Sequence, residues 1–277
     1  MTTVADRPAA RSAGRRPGAL TIGLSRGALE LKQFVRTRAY LVFTLLFPVL
    51  IVLIFGAAFH GSAGGGVSYT QYFVTGMIAS GLLATGFQNL AIQIPIERDR
   101  GVLKRLVGTP MPRSAYFIGK IVMVLVMSVV STVILLALAV ALYGLRLPDT
   151  GTKWFTLVWV GLLGVIACTL LGIAYSSLAR TGRAAPSMTT PVALVLQFIS
   201  GVFFVYTSLP GWMQQIAALF PLKWMTQGLR SVFLPDAYAQ HEVAHSWELG
   251  KVAVVLGAWC VAGLILCLLT FRWTEKD

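Results

Sequence analysis

The sequence predicts an all-α polytopic membrane protein with six transmembrane helices behind an N-terminal amphipathic helix. Three observations carry that expectation. Of 277 residues, 56% are hydrophobic and only 12% charged, with a mean hydropathy of +0.76, whereas soluble chains carry about 25% charged residues. Six stretches stay apolar over the roughly 20 residues that a helix needs to cross a bilayer core. Eighteen of the 23 Lys and Arg fall in segments that alternate with the others along the chain, the bias that marks cytoplasmic loops. Such a composition excludes most soluble enzymes and DNA-binding domains. The formal charge of +13 then reads as topology, and no nucleic-acid partner is expected.

The elements follow in order. Residues 1–19 are rich in Arg, Ala, Pro and Gly and are expected to form a disordered cytoplasmic tail. No apolar run before residue 40 suits a signal peptide, so the first span should be retained as an anchor. Residues 20–38 read as an amphipathic interfacial helix: Leu24, Ala28, Leu31 and Val35 recur at one-face spacing, with Arg26, Glu30, Lys32 and Arg36 elsewhere. A helix of this kind lies on an anionic cytoplasmic leaflet or touches a cytoplasmic partner. Spans are expected at 40–59, 69–94, 114–143, 154–179, 186–206 and 250–271. Both termini, including the tail at 273–277, then fall on the cytoplasmic side. The glycine-rich run at 61–66 reads as a flexible external turn. With short linkers and no internal repeat, residues 39–272 form one membrane domain.

What the spans lack is also informative. Apart from Lys120 and Lys251 near helix ends, they contain no Asp, Glu, Lys, Arg or His, the groups that carriers driven by protons or sodium usually keep in the membrane. The phosphate-cradling pattern G-x-x-x-x-G-K-[ST] is absent, so any ATP and magnesium must be bound by another chain, with no cofactor in this one. Cys168, Cys260 and Cys267 lie in apolar runs; their odd number and lack of CxxC spacing argue against disulfides and a zinc site.

The segment between the second and third spans carries the strongest motif. Glu97, Arg98, Asp99, Arg100 and Gly101 lead into Val102, Leu103, Lys104, Arg105 and Leu106, then Thr109, Pro110, Met111 and Pro112. A short charged helix is expected at about 96–108, with Leu103 and Leu106 at i, i+3 forming a ridge for a partner's groove. The two prolines end it, since neither donates an amide hydrogen bond. On charge alone, the same segment also reads as an ordinary positive-inside loop.

This run, with Thr109-Pro110 and Gly119-Lys120 beyond it, resembles the signature of bacterial type-2 ABC exporter permeases of the daunorubicin-resistance-like kind, which export drugs and antibiotics or lipids and glycans. The resemblance implies that the segment is a coupling helix docking on a separate ATPase subunit. It also implies two copies of that ATPase and a second permease, identical or homologous, in the plasma membrane of a bacterium. A second match lies between the fifth and sixth spans, at about 211–234, where Pro210, Trp212, Pro221 and Arg230 resemble the family's external re-entrant helix pair. The alternative there is a plain external loop anchored by Trp212 and Trp224.

Within the membrane, Gly76, Ser80, Ala84 and Gln88 recur every four residues, a row that suits close helix packing. Gln88, Asn89 and Gln93 add polar groups near the cytoplasmic half, and Gln197, Phe198, Phe203 and Phe204 offer a similar combination on the fifth span. The resemblance implies a path for a small hydrophobic or amphiphilic substrate between the second and fifth spans. Two other readings remain. His241-Glu242-x-x-His245 matches the zincin motif, which would make the chain a membrane-bound zinc hydrolase, although a short loop offers little scaffold for one. A non-transporting membrane sensor or scaffold is the other.

Overall fold

The computed structural model describes residues 18–36, 38–58 and 61–271, the side chains of 38–45 excepted. Of the tail expected at 1–19, residues 1–17 lie outside the described residues, as does all of the tail expected at 273–277. The chain is mostly helical. Helix α1 (Ala19–Arg36) precedes α2 (Arg38–Ala58), and a small antiparallel hairpin of β1 (Ser62–Gly64) and β2 (Val67–Ser68) leads on from there. Helix α3 (Tyr69–Leu83), a π-helical turn (Ala84–Gln88) and α4 (Asn89–Asp99) form one continuous rod, followed by short α5 (Val102–Val107). Then come α6 (Arg113–Tyr143), α7 (Gly151–Tyr175), α8 (Ala184–Ile199), α9 (Gly211–Ala218), α10 (Pro221–Phe233) and α11 (Leu249–Thr270).

Among the described residues, four helical rods are long and apolar enough to cross a membrane: Tyr69–Asp99, Arg113–Tyr143, Gly151–Tyr175 and Leu249–Thr270. Two further apolar helices are shorter over the described residues, Leu46–Ala58 and Ala184–Ile199. Helix α8 differs most from expectation. The fifth apolar stretch suggests a span over 186–206, but the helix stops at Ile199 and the chain turns at Gly201, whose φ of 75° is left-handed. Sixteen residues at about 1.5 Å each make a rod of roughly 24 Å.

Local chemistry explains where the elements begin and end. Ser68 and Gln71 form a reciprocal capping box at the start of α3, satisfying amides that would otherwise lack partners. Gly144 adopts φ 60° after α6, and Leu145 N–H returns to Ala139 O at 3.2 Å, a glycine stop. Pro221 sits in the first turn of α10, where its missing N–H costs nothing.

Helix α1 departs from the sequence reading in one respect. Of the stripe of Leu24, Ala28, Leu31 and Val35, only Leu31 packs on the protein, against Phe34, Met123 and Met127, and the other three are exposed; the buried face is Gly23, Gly27, Glu30 and Phe34, lying against α6. A Cβ on Gly27 would stand 2.8 Å from Val122, and one on Gly119 would stand 2.7 Å from Arg26. The two helices therefore touch through their glycines, which leaves the larger apolar residues Leu24 and Val35 exposed beside the contact.

Candidate coupling and conduction site

Three consecutive charged residues at the end of α4 brace two other parts of the molecule, α6 and the loop between α7 and α8. Glu97 accepts from Tyr116 Oη at 2.9 Å and from Lys120 Nζ at 2.5 Å, both on α6. Arg98 Nη1 donates to Ala179 O at 3.4 Å, and Asp99 Oδ2 accepts from Gly182 N at 2.5 Å. The last two contacts fix the loop between α7 and α8. Successive helical residues are about 100° apart, so an uninterrupted charged run suits a bracket of this kind. Lys120 also reaches Glu30 of α1 at 2.8 Å, and Arg26 lies 3.4 Å from the same carboxylate. Lys120 is 1% exposed and Glu30 7%. A buried carboxylate, Glu30, and a half-buried one, Glu97, thus meet two cations, the compensation that buried charge requires.

The helix that follows is separated from α4 by Gly101, whose φ of 70° suits glycine far better than any other residue. The single helix expected over 96–108 is therefore two pieces, the end of α4 and α5, joined by this turn. Leu103 is 0% exposed and belongs to the chain's own core, with Leu106 packed against it. This corrects the expected ridge: Leu103 anchors the segment from inside and is not available to a partner's groove. Lys104 and Arg105, with Val107 and Gly108 beside them, are exposed instead.

The residues expected along a conduction path occupy separate depths. Ser80 Oγ donates to Gln197 Oε1 at 2.9 Å, joining α3 to α8. Nearby, Gly76 faces the backbone of Val202, where a Cβ would stand 3.0 Å from its carbonyl oxygen. Phe198 and Phe203 rings lie 4.8 Å apart, Phe198 and Phe204 6.0 Å, and Phe203 and Phe73 6.1 Å. Gln197 and the three phenylalanines therefore form one group with α3. Asn89 and Gln93 do not join it. Asn89 Nδ2 reaches Met123 Sδ at 3.7 Å on α6, and both amides line a polar cavity against α1. Between the two groups, the π-turn at 84–88 resets the helical register, so the four-residue row that suggested Gln88 as a neighbour of Gly76 ends at Ala84. Gln88 is half-buried at the close of that turn. Gly172 of α7 abuts it, and a Cβ there would stand 2.7 Å from Phe87 O.

Sequence reasoning missed the burial of α10. Every residue of Pro221–Phe233 is buried, Lys223, Gln227 and Arg230 included. Arg230 donates to Gly201 O and lies 3.7 Å from the centre of the Tyr72 ring, a desolvated cation–π contact. Lys223 donates to Gln227 Oε1 and sits 3.7 Å over the Trp224 ring. Burial pulls the Lys223 ammonium down to about 8, against the opposing pull of Glu242 and Glu248. The signal was present: Lys223, Gln227 and Arg230 recur at four and three residues, a polar stripe too regular for a loop.

The His241-Glu242-x-x-His245 motif does not lie on a helix. Residues Asp236–His241 form a 3-10 turn, His245 has a φ of 51°, and Glu242 is buried. His241 stacks on Tyr238 at 5.4 Å, and His245 Nδ1 contacts Gln240 O at 2.8 Å. Among the described residues, no cluster of three His, Cys, Asp or Glu side chains is arranged to hold a metal. Zincin chemistry needs both histidines on one helical face, and this geometry does not provide it.

Residues 27–234 match the family model described as ABC-2 type transporter. The chain is 25% identical over 171 residues to the probable multidrug ABC transporter permease YbhR of Escherichia coli (strain K12), covering 61% of this chain but 45% of that protein. The chain thus spans less than half the length of that relative. It is 24% identical over 217 residues to the inner membrane transport permease YadH of the same strain, covering 75% of this chain and 80% of YadH. The probable doxorubicin resistance ABC transporter permease protein DrrC of Mycobacterium tuberculosis is 25% identical over 207 residues, with 72% and 70% covered. The family match takes in the bracket, the π-turn and the buried α10, and this chain belongs to the ABC-2 type transporter family.

Proposed function

We propose that the chain is the membrane-spanning permease subunit of an ATP-driven exporter. It carries a hydrophobic or amphiphilic compound out of the cytoplasm or inner leaflet, a drug or antibiotic first and a lipid or lipid-linked glycan second. The names of YbhR and DrrC support the first choice. Two copies of a separate ATPase bind the ATP and magnesium, and a second permease, identical or homologous, completes the path. The chain crosses the plasma membrane of a bacterium six times with both termini cytoplasmic, and α9 and α10 form the re-entrant pair on the outer side.

The observation that carries this reading is the charged bracket. A partner pressing on exposed Lys104 and Arg105 moves a helix anchored by buried Leu103. Glu97 then transmits the displacement to α6, and Asp99 transmits it to the loop before α8. ATP favours the closed ATPase dimer, so a segment riding on that dimer shifts the permease from inward-open toward outward-open by differential binding. Phe198, Phe203, Phe204 and Gln197 stand where α8 meets α3, a surface with aromatic area and a few polar handles suited to such cargo.

Replacing Lys104 and Arg105 with Glu tests the assignment. ATP-driven accumulation of a fluorescent amphiphilic drug inside inverted vesicles, where the export direction runs inward, should fall at least about tenfold, the effect of losing some 1.4 kcal/mol of docking energy, while membrane insertion and melting temperature stay unchanged. Undiminished export would remove the coupling role. A Cys at position 104 should react with an impermeant maleimide in inside-out vesicles only; labelling in right-side-out cells would reverse the proposed orientation.

A further inference from the structure

Beneath the bracket, a cavity of about 660 Å³ opens between α1, the end of α4 and the first turns of α6. Its floor is electrostatically closed, since Lys120 and Arg26 answer Glu30 and Glu97. Its rim is not. Arg36 at the end of α1 and Arg100 just past α4 line the same cavity and are exposed. Among the described residues, neither forms an ion pair with an acidic side chain. The lining therefore carries two positive charges in excess. Asn89 and Gln93 add amide donors above them.

The surroundings point to a lipid as the source of the complementary charge. The buried face of α1 runs through Gly23, Gly27 and Phe34. On one flank of that face, Leu20, Leu24 and Val35 are exposed apolar residues; on the other, Arg26 and Gln33 line the cavity. At 100° per residue these flanks lie on either side of the contact with α6. A helix so divided lies at a bilayer interface with its apolar flank among acyl chains, which puts the cavity mouth at the level of the lipid phosphates.

We propose that this cavity holds the headgroup of an anionic phospholipid, its phosphate bridged by Arg36 and Arg100. Guanidinium forks match phosphate oxygens in shape and charge. The bound headgroup ties α1 to the Gly101 turn and so braces the segment that carries Lys104 and Arg105. The inference goes beyond export. It uses the proposed orientation only to name the leaflet as the inner one, and lipid binding in detergent is read without that orientation, so the two readings fail separately.

The test is to purify the full chain in a non-ionic detergent and add phosphatidylglycerol, phosphatidylcholine or glycerol 3-phosphate, reading retained lipid by mass spectrometry together with the melting temperature. Phosphatidylglycerol should be retained and raise the melting temperature, and the other two should not. At about fivefold per basic residue near the surface, the Arg36→Gln, Arg100→Gln pair should weaken retention roughly 25-fold. Arg36→Lys with Arg100→Lys should keep most of it, which guards against a variant that fails to fold. The charge-matched pair Arg180→Gln, Arg183→Gln, exposed elsewhere, should leave it unchanged. Equal losses in both Gln pairs would mean diffuse attraction and would overturn the site. Equal stabilisation by glycerol 3-phosphate would assign it to a soluble phosphate and overturn the lipid.

Discussion

Lys120 holds Glu30 and Glu97 together at 2.8 and 2.5 Å, so three separate elements depend on one ammonium. Lys120→Met should cost about 3 kcal/mol, because it leaves buried Glu30 with only the longer Arg26 contact and half-buried Glu97 with only the Tyr116 hydroxyl. A detergent melt checks this, with Lys120→Met combined with Glu30→Gln and Glu97→Gln expected to recover much of the loss. Lys223 gives a pH signature of opposite origin. Its folded value is near 8 against an ordinary 10.5, so between those values the unfolded chain binds more protons than the folded one. Stability should therefore rise from pH 8 to 10.5, with the cost of the buried ammonium fully present below pH 8. Lys223→Met should flatten the rise, and a melting series across that window reads it. Individual charges were the least legible part of the sequence. Composition records the sign of Lys223 and Arg230 but not their burial. Leu103 looked like a docking knob because i, i+3 spacing cannot tell an inner face from an outer one.

At the scale of elements, the π-turn at 84–88 and its contact with α7 shape the middle of the molecule. Gly172→Ala would set a Cβ 2.7 Å from Phe87 O and 2.8 Å from Gly86 O, backbone atoms that cannot swing aside. The cost should be about 1–3 kcal/mol. On the same helix, Gly161 has open space around it, and Gly161→Ala should be neutral or stabilising by roughly 0.5–1 kcal/mol. Paired melting curves decide between these outcomes. The rods from Tyr69, Arg113, Gly151 and Leu249 were readable because long apolar runs define them. The π-turn was not, since an inserted residue leaves no mark on composition. Helix α8 was overestimated for a related reason: residues 200–206 are apolar enough to extend a span, but Gly201 turns the chain and Tyr206 packs against it.

For the whole molecule, membrane class and family were legible from hydropathy and from the run between Glu97 and Lys120, because the lipid environment and the charged bracket each leave a dense local signature. How that run works was not, since its charges answer Glu30, Ala179 and Gly182, distant in sequence. The central claim is that this bracket couples the permease to a separate ATPase. The most direct measurement is to tag the chain in its native membrane, extract it mildly and quantify stoichiometric partners by mass spectrometry, beside the Lys104→Glu, Arg105→Glu pair. A P-loop ATPase recovered near one to one with the native chain, and strongly depleted from the charge-reversed pair, is the predicted result. Recovery of no ATPase under several mild detergents, or equal recovery by both, would contradict the account.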